Sequence, residues 1–193
     1  MKSISKYISD ILWNKGIIQK EDIDSCKYGL DIFFSSFIEI FSILVISAIV
    51  GNIIETILLF TAFIPLRIYA GGYHADTKIR CYILSLLMYI IFCIILSIVS
   101  CKQYLKMSVL CTIFTCALVI FKAPIIHCNK EVNNVERKNY RKMSIKICVI
   151  ETMVILLLII IIPKSTCIIS LAIGQASVAV SMIAAIVKGV TKF

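Results

Sequence analysis

The residues with the most chemistry in this chain lie in one short stretch, Pro65–Cys81, P-L-R-I-Y-A-G-G-Y-H-A-D-T-K-I-R-C. It holds His74, one of two histidines in the chain, and Cys81 seven positions later. A thiol becomes a nucleophile when its anion is populated, and a helix N-terminus and nearby cations favour that anion. Asp76 or Thr77 is a suitable N-cap for a following helix, which puts Cys81 just beyond the first turn, with Lys78 and Arg80 beside it. His74 then has the chemistry to take the thiol proton and return it to a leaving amine. Seven residues along one straight helix rise ~10.5 Å, too far for a hydrogen bond, so the pair works only if His74 is off the helix and the chain folds back. Gly71-Gly72 permits that fold, because glycine takes positive φ without steric cost. The alternative is a loop histidine near a packed cysteine.

Three further sets of residues invite a role. His127-Cys128 opens a second polar stretch. Adjacent residues diverge on a helix, but together with His74 and Cys81 they would make a His2Cys2 metal set if the two loops met. Arg67 is suited either to interfacial anchoring or to clamping a carboxylate or backbone carbonyls. Glu39, Glu55 and Glu151 fall in or near apolar runs, where an acid is costly and is either paired between helices or functional.

The elements that must carry these residues follow from composition. The 193 residues are 60% hydrophobic and 16% charged, too apolar for a soluble domain of this size. The expected class is all-α, a single polytopic membrane domain over residues 1–193. Residues 1–30 form an interfacial arm, 31–187 six transmembrane helices, and 188–193 a basic tail. In the arm, Ile4, Tyr7, Ile8, Ile11 and Leu12 recur at helical spacing, with Trp13 at the interface and Gly16 as the stop. No cleavable signal peptide is expected. The spans are expected near 31–50, 53–69, 81–100, 107–123, 145–162 and 166–187, each near the ~20 residues that cross a bilayer. Residues 101–106 and 124–144 are expected as loops, the second highly charged. Most of the nine cysteines sit in apolar runs and read as small hydrophobes, and the absence of CxxC gives no zinc signal. In the sixth span Ser170, Gly174, Gln175, Ser177 and Ser181 suit close helix packing, within the chain or across a homodimer. They also partly suit a transporter.

The net charge of +9 on so apolar a chain points to the positive-inside bias of a multi-pass protein, not to nucleic acid. With the N-terminus cytoplasmic, only Lys102, Lys106 and Lys164 of the basic residues fall outside. Both termini, the Gly-Gly loop and the 124–144 loop then face the cytoplasm.

Arg67 at the end of a span, Gly71-Gly72-Tyr73-His74, and Cys81 seven residues after the histidine resemble the signature of the accessory gene regulator B (AgrB) family. The chain's length, its six spans and the basic cluster Arg137, Lys138, Arg141 and Lys142 are similar in character to that family. The resemblance implies a cysteine endopeptidase of the bacterial cytoplasmic membrane that needs no cofactor. Its implied partners are the bilayer and an AgrD-type propeptide, which it cuts and helps close into a thiolactone or lactone quorum-sensing signal. It implies Cys81 as nucleophile and His74 as general base. Arg67, Gly71 and Gly72 are then substrate-positioning residues, and Asp76 is a candidate orienting residue for the histidine. The rival reading is a non-enzymatic transporter or exporter of the peptide, or a metal-binding membrane protein.

Overall fold

The computed structural model describes residues 4–73, 77–127, 133–189 and 191–192. It forms two compact units, Met1–Ile46 and Ser47–Phe193. The helices are α1 (Ile4–Asn14), α2 (Ile23–Val50), α3 (Ile53–Ala70), α4 (Lys78–Ile98), α5 (Cys101–Lys122), α6 (Asn134–Ile161) and α7 (Thr166–Val187). A 3-10 turn, Lys20–Asp22, precedes α2, and two-residue strands β1 (Ile126–His127) and β2 (Thr191–Lys192) complete the order. Among the described residues, six helices, α2 to α7, are long and apolar enough to cross a membrane. The all-α polytopic class expected from composition is therefore the observed one.

In the first unit, α1 ends as the sequence requires. Gly16 takes φ +69°, and its N–H and that of Ile17 return to the carbonyls of Trp13 (2.8 Å) and Leu12 (3.0 Å). This pair of bonds satisfies the last carbonyls of a helix that stops on a left-handed glycine. The buried face of α1 is made of serines. Ser5 Oγ donates to Asp31 Oδ1 at 2.7 Å, and Ser9 Oγ donates to the Ser5 carbonyl at 2.7 Å. Ile4 and Tyr7 are left exposed, as suits a helix lying in a bilayer interface.

The second unit is built around α7. It buries 67% of its apolar window, against 11% for α4. Helices α3 and α5 flank it and α6 packs on all three. Apolar contact with lipid costs nothing, so helices in a membrane associate where small side chains let backbones approach. Gly174 is such a place: a Cβ there would overlap the Leu59 carbonyl of α3 and sit 3.0 Å from Ala62 Cβ. The small residues of the sixth span thus serve close packing within the chain. Leu66, Ala70, Val119, Ala123, Ile125, Cys148, Val178, Met182 and Ala185 form a core cluster around the C-terminal half of α7. By contrast, α4 joins the bundle through the buried Tyr89 and Phe92, while Ile79, Leu87 and Ile98 stay exposed.

Two loop expectations are corrected. Residues 101–106 are the start of α5, because Ser100 and Gln103 form a capping box in which the Gln103 side chain accepts from Ser100 N at 3.4 Å. Likewise α6 begins at Asn134, well before the apolar run, through a capping box of Asn133 and Glu136 whose return bond is 3.2 Å. The 124–144 loop therefore shortens to about half its expected length, and its Arg and Lys residues 137–142 stand on helix α6.

Candidate active site

The site begins where α3 stops. The helix runs through Pro65 and ends at Ala70, because Gly71 takes φ +75° and Gly72 φ +135°. Both conformations are rarely open to a residue with a Cβ, and the surroundings close them further. A Cβ on Gly71 would overlap the Ile125 carbonyl, and one on Gly72 would overlap the Arg67 guanidinium and lie 2.6 Å from Ser181 Oγ.

Arg67 folds forward over this turn. Its Nη1 donates to the Gly71 carbonyl at 2.6 Å and its Nη2 to the Tyr73 carbonyl. A planar guanidinium fork is suited to bridging two carbonyls in fixed geometry. The Tyr73 N–H in turn donates to both the carbonyl (2.9 Å) and the hydroxyl (3.1 Å) of Ser181 on α7. Lys188, just past the end of α7, donates from Nζ to Tyr73 Oη at 2.6 Å and sits 4.5 Å from the ring centroid. Behind the turn, the Ile125 N–H donates to the Ala70 carbonyl at 2.9 Å, and Gly71 and Ile125 form a parallel bridge. Strand β1 then pairs antiparallel with β2, Ile126 opposite Lys192. The Gly-Gly turn, the segment after α5 and the chain after α7 therefore meet at one end of the bundle. No local spacing links the two loops; backbone hydrogen bonding joins them.

Cys81 enters from α4. Thr77, not Asp76, is the N-cap, its hydroxyl accepting from Arg80 N at 3.3 Å. The Cys81 N–H makes the first full helical bond, to the Thr77 carbonyl at 3.1 Å. The thiol is half-buried and not in a disulfide, and Cys81 and Arg67 interact through their charges. His74 and Asp76 lie outside the described residues, as does Cys128, so the proposed His2Cys2 set has only Cys81 and the backbone of His127 within them. Among the described residues no cluster of three metal-ligating side chains occurs.

The acids have plainer surroundings. Glu55 accepts from Thr166 Oγ1 at 2.9 Å, and Glu151 accepts from Gln175 Nε2 at 3.0 Å. Both tie a helix to α7. Ser181 and Lys188 are the residues that sequence reasoning undervalued. Ser181 was visible as one more small polar residue in the sixth span and Lys188 as tail charge, but no local spacing links either to Tyr73.

The model of the family described as accessory gene regulator B matches residues 2–186. The chain belongs to the accessory gene regulator B family. It is 38% identical over 64 residues to Protein FsrB of Enterococcus faecalis (strain ATCC 47077 / OG1RF), covering 33% of this chain and 26% of that protein. It is 26% identical over 126 residues to Putative AgrB-like protein 1 of Clostridium perfringens (strain 13 / Type A), covering 65% of this chain and 64% of that protein. The chain thus spans less than two thirds of the length of either relative. No solved structure matches. Within the AgrB family frame, the turn held by Arg67 and Ser181 ties the end of α3 to α7.

Proposed function

We propose that this AgrB-family protein processes a quorum-sensing propeptide in the bacterial cytoplasmic membrane, acting as a cysteine endopeptidase. Cys81 is the nucleophile and His74 the general base. Arg67, Gly71 and Gly72 position the turn that leads into His74, and Asp76 orients the imidazole. The observation that carries this reading is the turn itself: Arg67 binds the Gly71 and Tyr73 carbonyls immediately before His74, Cys81 makes the first full bond of α4, and the two residues interact through their charges. Attack of the Cys81 sulfur on the scissile carbonyl forms a thioester as the carbon–nitrogen bond breaks. The proton taken from the thiol leaves on the amine of the released C-terminal fragment. The acyl group then passes to a thiol or hydroxyl within the propeptide, closing a thiolactone or lactone and restoring Cys81.

The fold supports a site at the membrane surface, where an amphipathic substrate is confined to two dimensions. Seventeen of the twenty basic residues would face the cytoplasm, and an acidic propeptide tail would be drawn to that face. The test is cleavage of a tagged AgrD-type propeptide by the full chain in membranes. Cys81→Ala should abolish release of the C-terminal fragment and His74→Ala should come close, because a nucleophile and its base fail as a unit. Release at the wild-type rate by Cys81→Ala would overturn the peptidase reading in favour of a transporter.

A further inference from the structure

A second feature lies at the junction of α5 and α6, outside the turn that holds Arg67. A cleft of about 430 Å³ opens there, lined by Phe121, Lys122, Ala123, Pro124, Asn134, Arg137, Lys138 and Arg141. Its size is that of a small-molecule site. Asn134, Arg137, Lys138 and Arg141 recur at positions i, i+3, i+4 and i+7 and so share one face of α6. That face looks onto the last residues of α5 and the turn after it. In its wall Ala123 is buried, and Arg141 Nη2 donates to the Ile120 carbonyl at 3.4 Å. Lys122, Arg137, Lys138 and Arg141 line the cleft, and no carboxylate is among its described lining residues. An anion would relieve the repulsion among Arg137, Lys138 and Arg141, and arginine pairs are suited to phosphate oxygens.

The position of the cleft selects the source of that anion. Lys122 ends the α5 span, so the cleft opens where hydrocarbon gives way to headgroups. Phe121 in the same wall is 79% exposed and Ile120 beside it is 45% exposed, a lipid-facing apolar flank directly below the cations. A free phosphate ion has no use for that flank, whereas a lipid uses both parts. We propose that this cleft seats one anionic phospholipid, its phosphate among Arg137, Lys138 and Arg141 and an acyl chain along Phe121. Basic clefts between spans at this level are suited to such headgroups. The seat bears on the rest of the molecule because its Ala123-Pro124 wall runs straight into Ile125, which backs the Gly-Gly turn. The seat uses none of the residues assigned to the peptidase chemistry.

The full chain is purified in neutral detergent and titrated with phosphatidylglycerol, phosphatidylcholine, inorganic phosphate, or a short polyglutamate peptide. Retained lipid is read by native mass spectrometry and stability by thermal unfolding. Wild-type protein should retain one phosphatidylglycerol and gain thermal stability from that lipid alone. Arg137→Gln/Lys138→Gln/Arg141→Gln should weaken retention by about tenfold or more and remove the gain. Lys102→Gln/Lys106→Gln/Lys164→Gln, which removes the same charge at the other end of the spans, should retain both. Equal stabilisation by phosphatidylcholine, or an unchanged response in the first triple variant, would overturn the seat. So would equal stabilisation by phosphate, which marks a free-anion site, or by polyglutamate, which marks a peptide site.

Discussion

The Tyr73 N–H is shared between the carbonyl and the hydroxyl of Ser181, at 2.9 and 3.1 Å, across 108 positions of sequence. Tyr73 is the residue immediately before His74, so this bond ties the approach to the proposed base to the most buried helix of the bundle. Ser181→Ala keeps the carbonyl partner and loses the hydroxyl. The expected cost is about 1 kcal/mol or less in stability, with a larger fall in propeptide cleavage. A turnover defect with substrate affinity kept, in protein that still reaches the membrane, identifies Ser181 as a positioning residue. Cleavage at the wild-type rate would make the bond structural only.

Gly72 should resist replacement by any residue with a Cβ. Its φ is +135°, and an added Cβ would meet the Arg67 guanidinium and Ser181 Oγ together. Gly51 offers the control, since its φ is +85° but a Cβ there meets nothing within 4 Å. Gly51→Ala should cost about 1 kcal/mol from backbone strain alone. Gly72→Ala adds a collision to that strain, so it should displace Arg67, abolish cleavage and lower the unfolding temperature by more. Equal effects of the two substitutions would refute the packing account.

Arg67→Lys separates a fork from a charge. One ammonium cannot hold the Gly71 and Tyr73 carbonyls in the geometry of two guanidinium nitrogens. The variant keeps a cation near Cys81, so thiol reactivity toward a small alkylating reagent should change little. Cleavage of the propeptide should fall by about tenfold or more, since a loop displaced by an ångström costs alignment. Full activity would return Arg67 to the role of an interfacial anchor.

Much of this architecture was legible because its signals are local. Six apolar runs, Gly16 as a helix stop and Thr77 as one of two possible caps for α4 are all short-range features. The motif from Arg67 to Cys81 also stood out, since polar residues in an apolar chain are conspicuous. The starts of α5 and α6 were missed although Ser100–Gln103 and Asn133–Glu136 carry capping-box residues, because charge in those stretches outweighed the caps. The frame around the site was illegible for a different reason. Arg67 spends its donors on its own loop, Ser181 answers from α7, and Ile125 joins Ala70 by a backbone bond. No periodicity encodes contacts between residues so far apart in sequence.

The covalent intermediate gives the sharpest test of enzyme against transporter. Hydrolysis alone would discard the free energy of the cut peptide bond, whereas ring closure needs the acyl group kept activated. A thioester on Cys81 does so, because thiol exchange returns one thiolate for another at little cost. If the ring-forming residue of the propeptide is changed to Ala, the acyl group has no internal acceptor and should accumulate on the protein. Intact mass should then rise by that of the N-terminal fragment, and hydroxylamine should remove the addition. Cys81→Ala should never acquire it, and Cys128→Ala should acquire it as wild type does. His74→Ala should form it slowly, because the thiol proton then lacks its acceptor. A wild-type protein that cleaves the altered propeptide without passing through the adduct would exclude acyl transfer through Cys81.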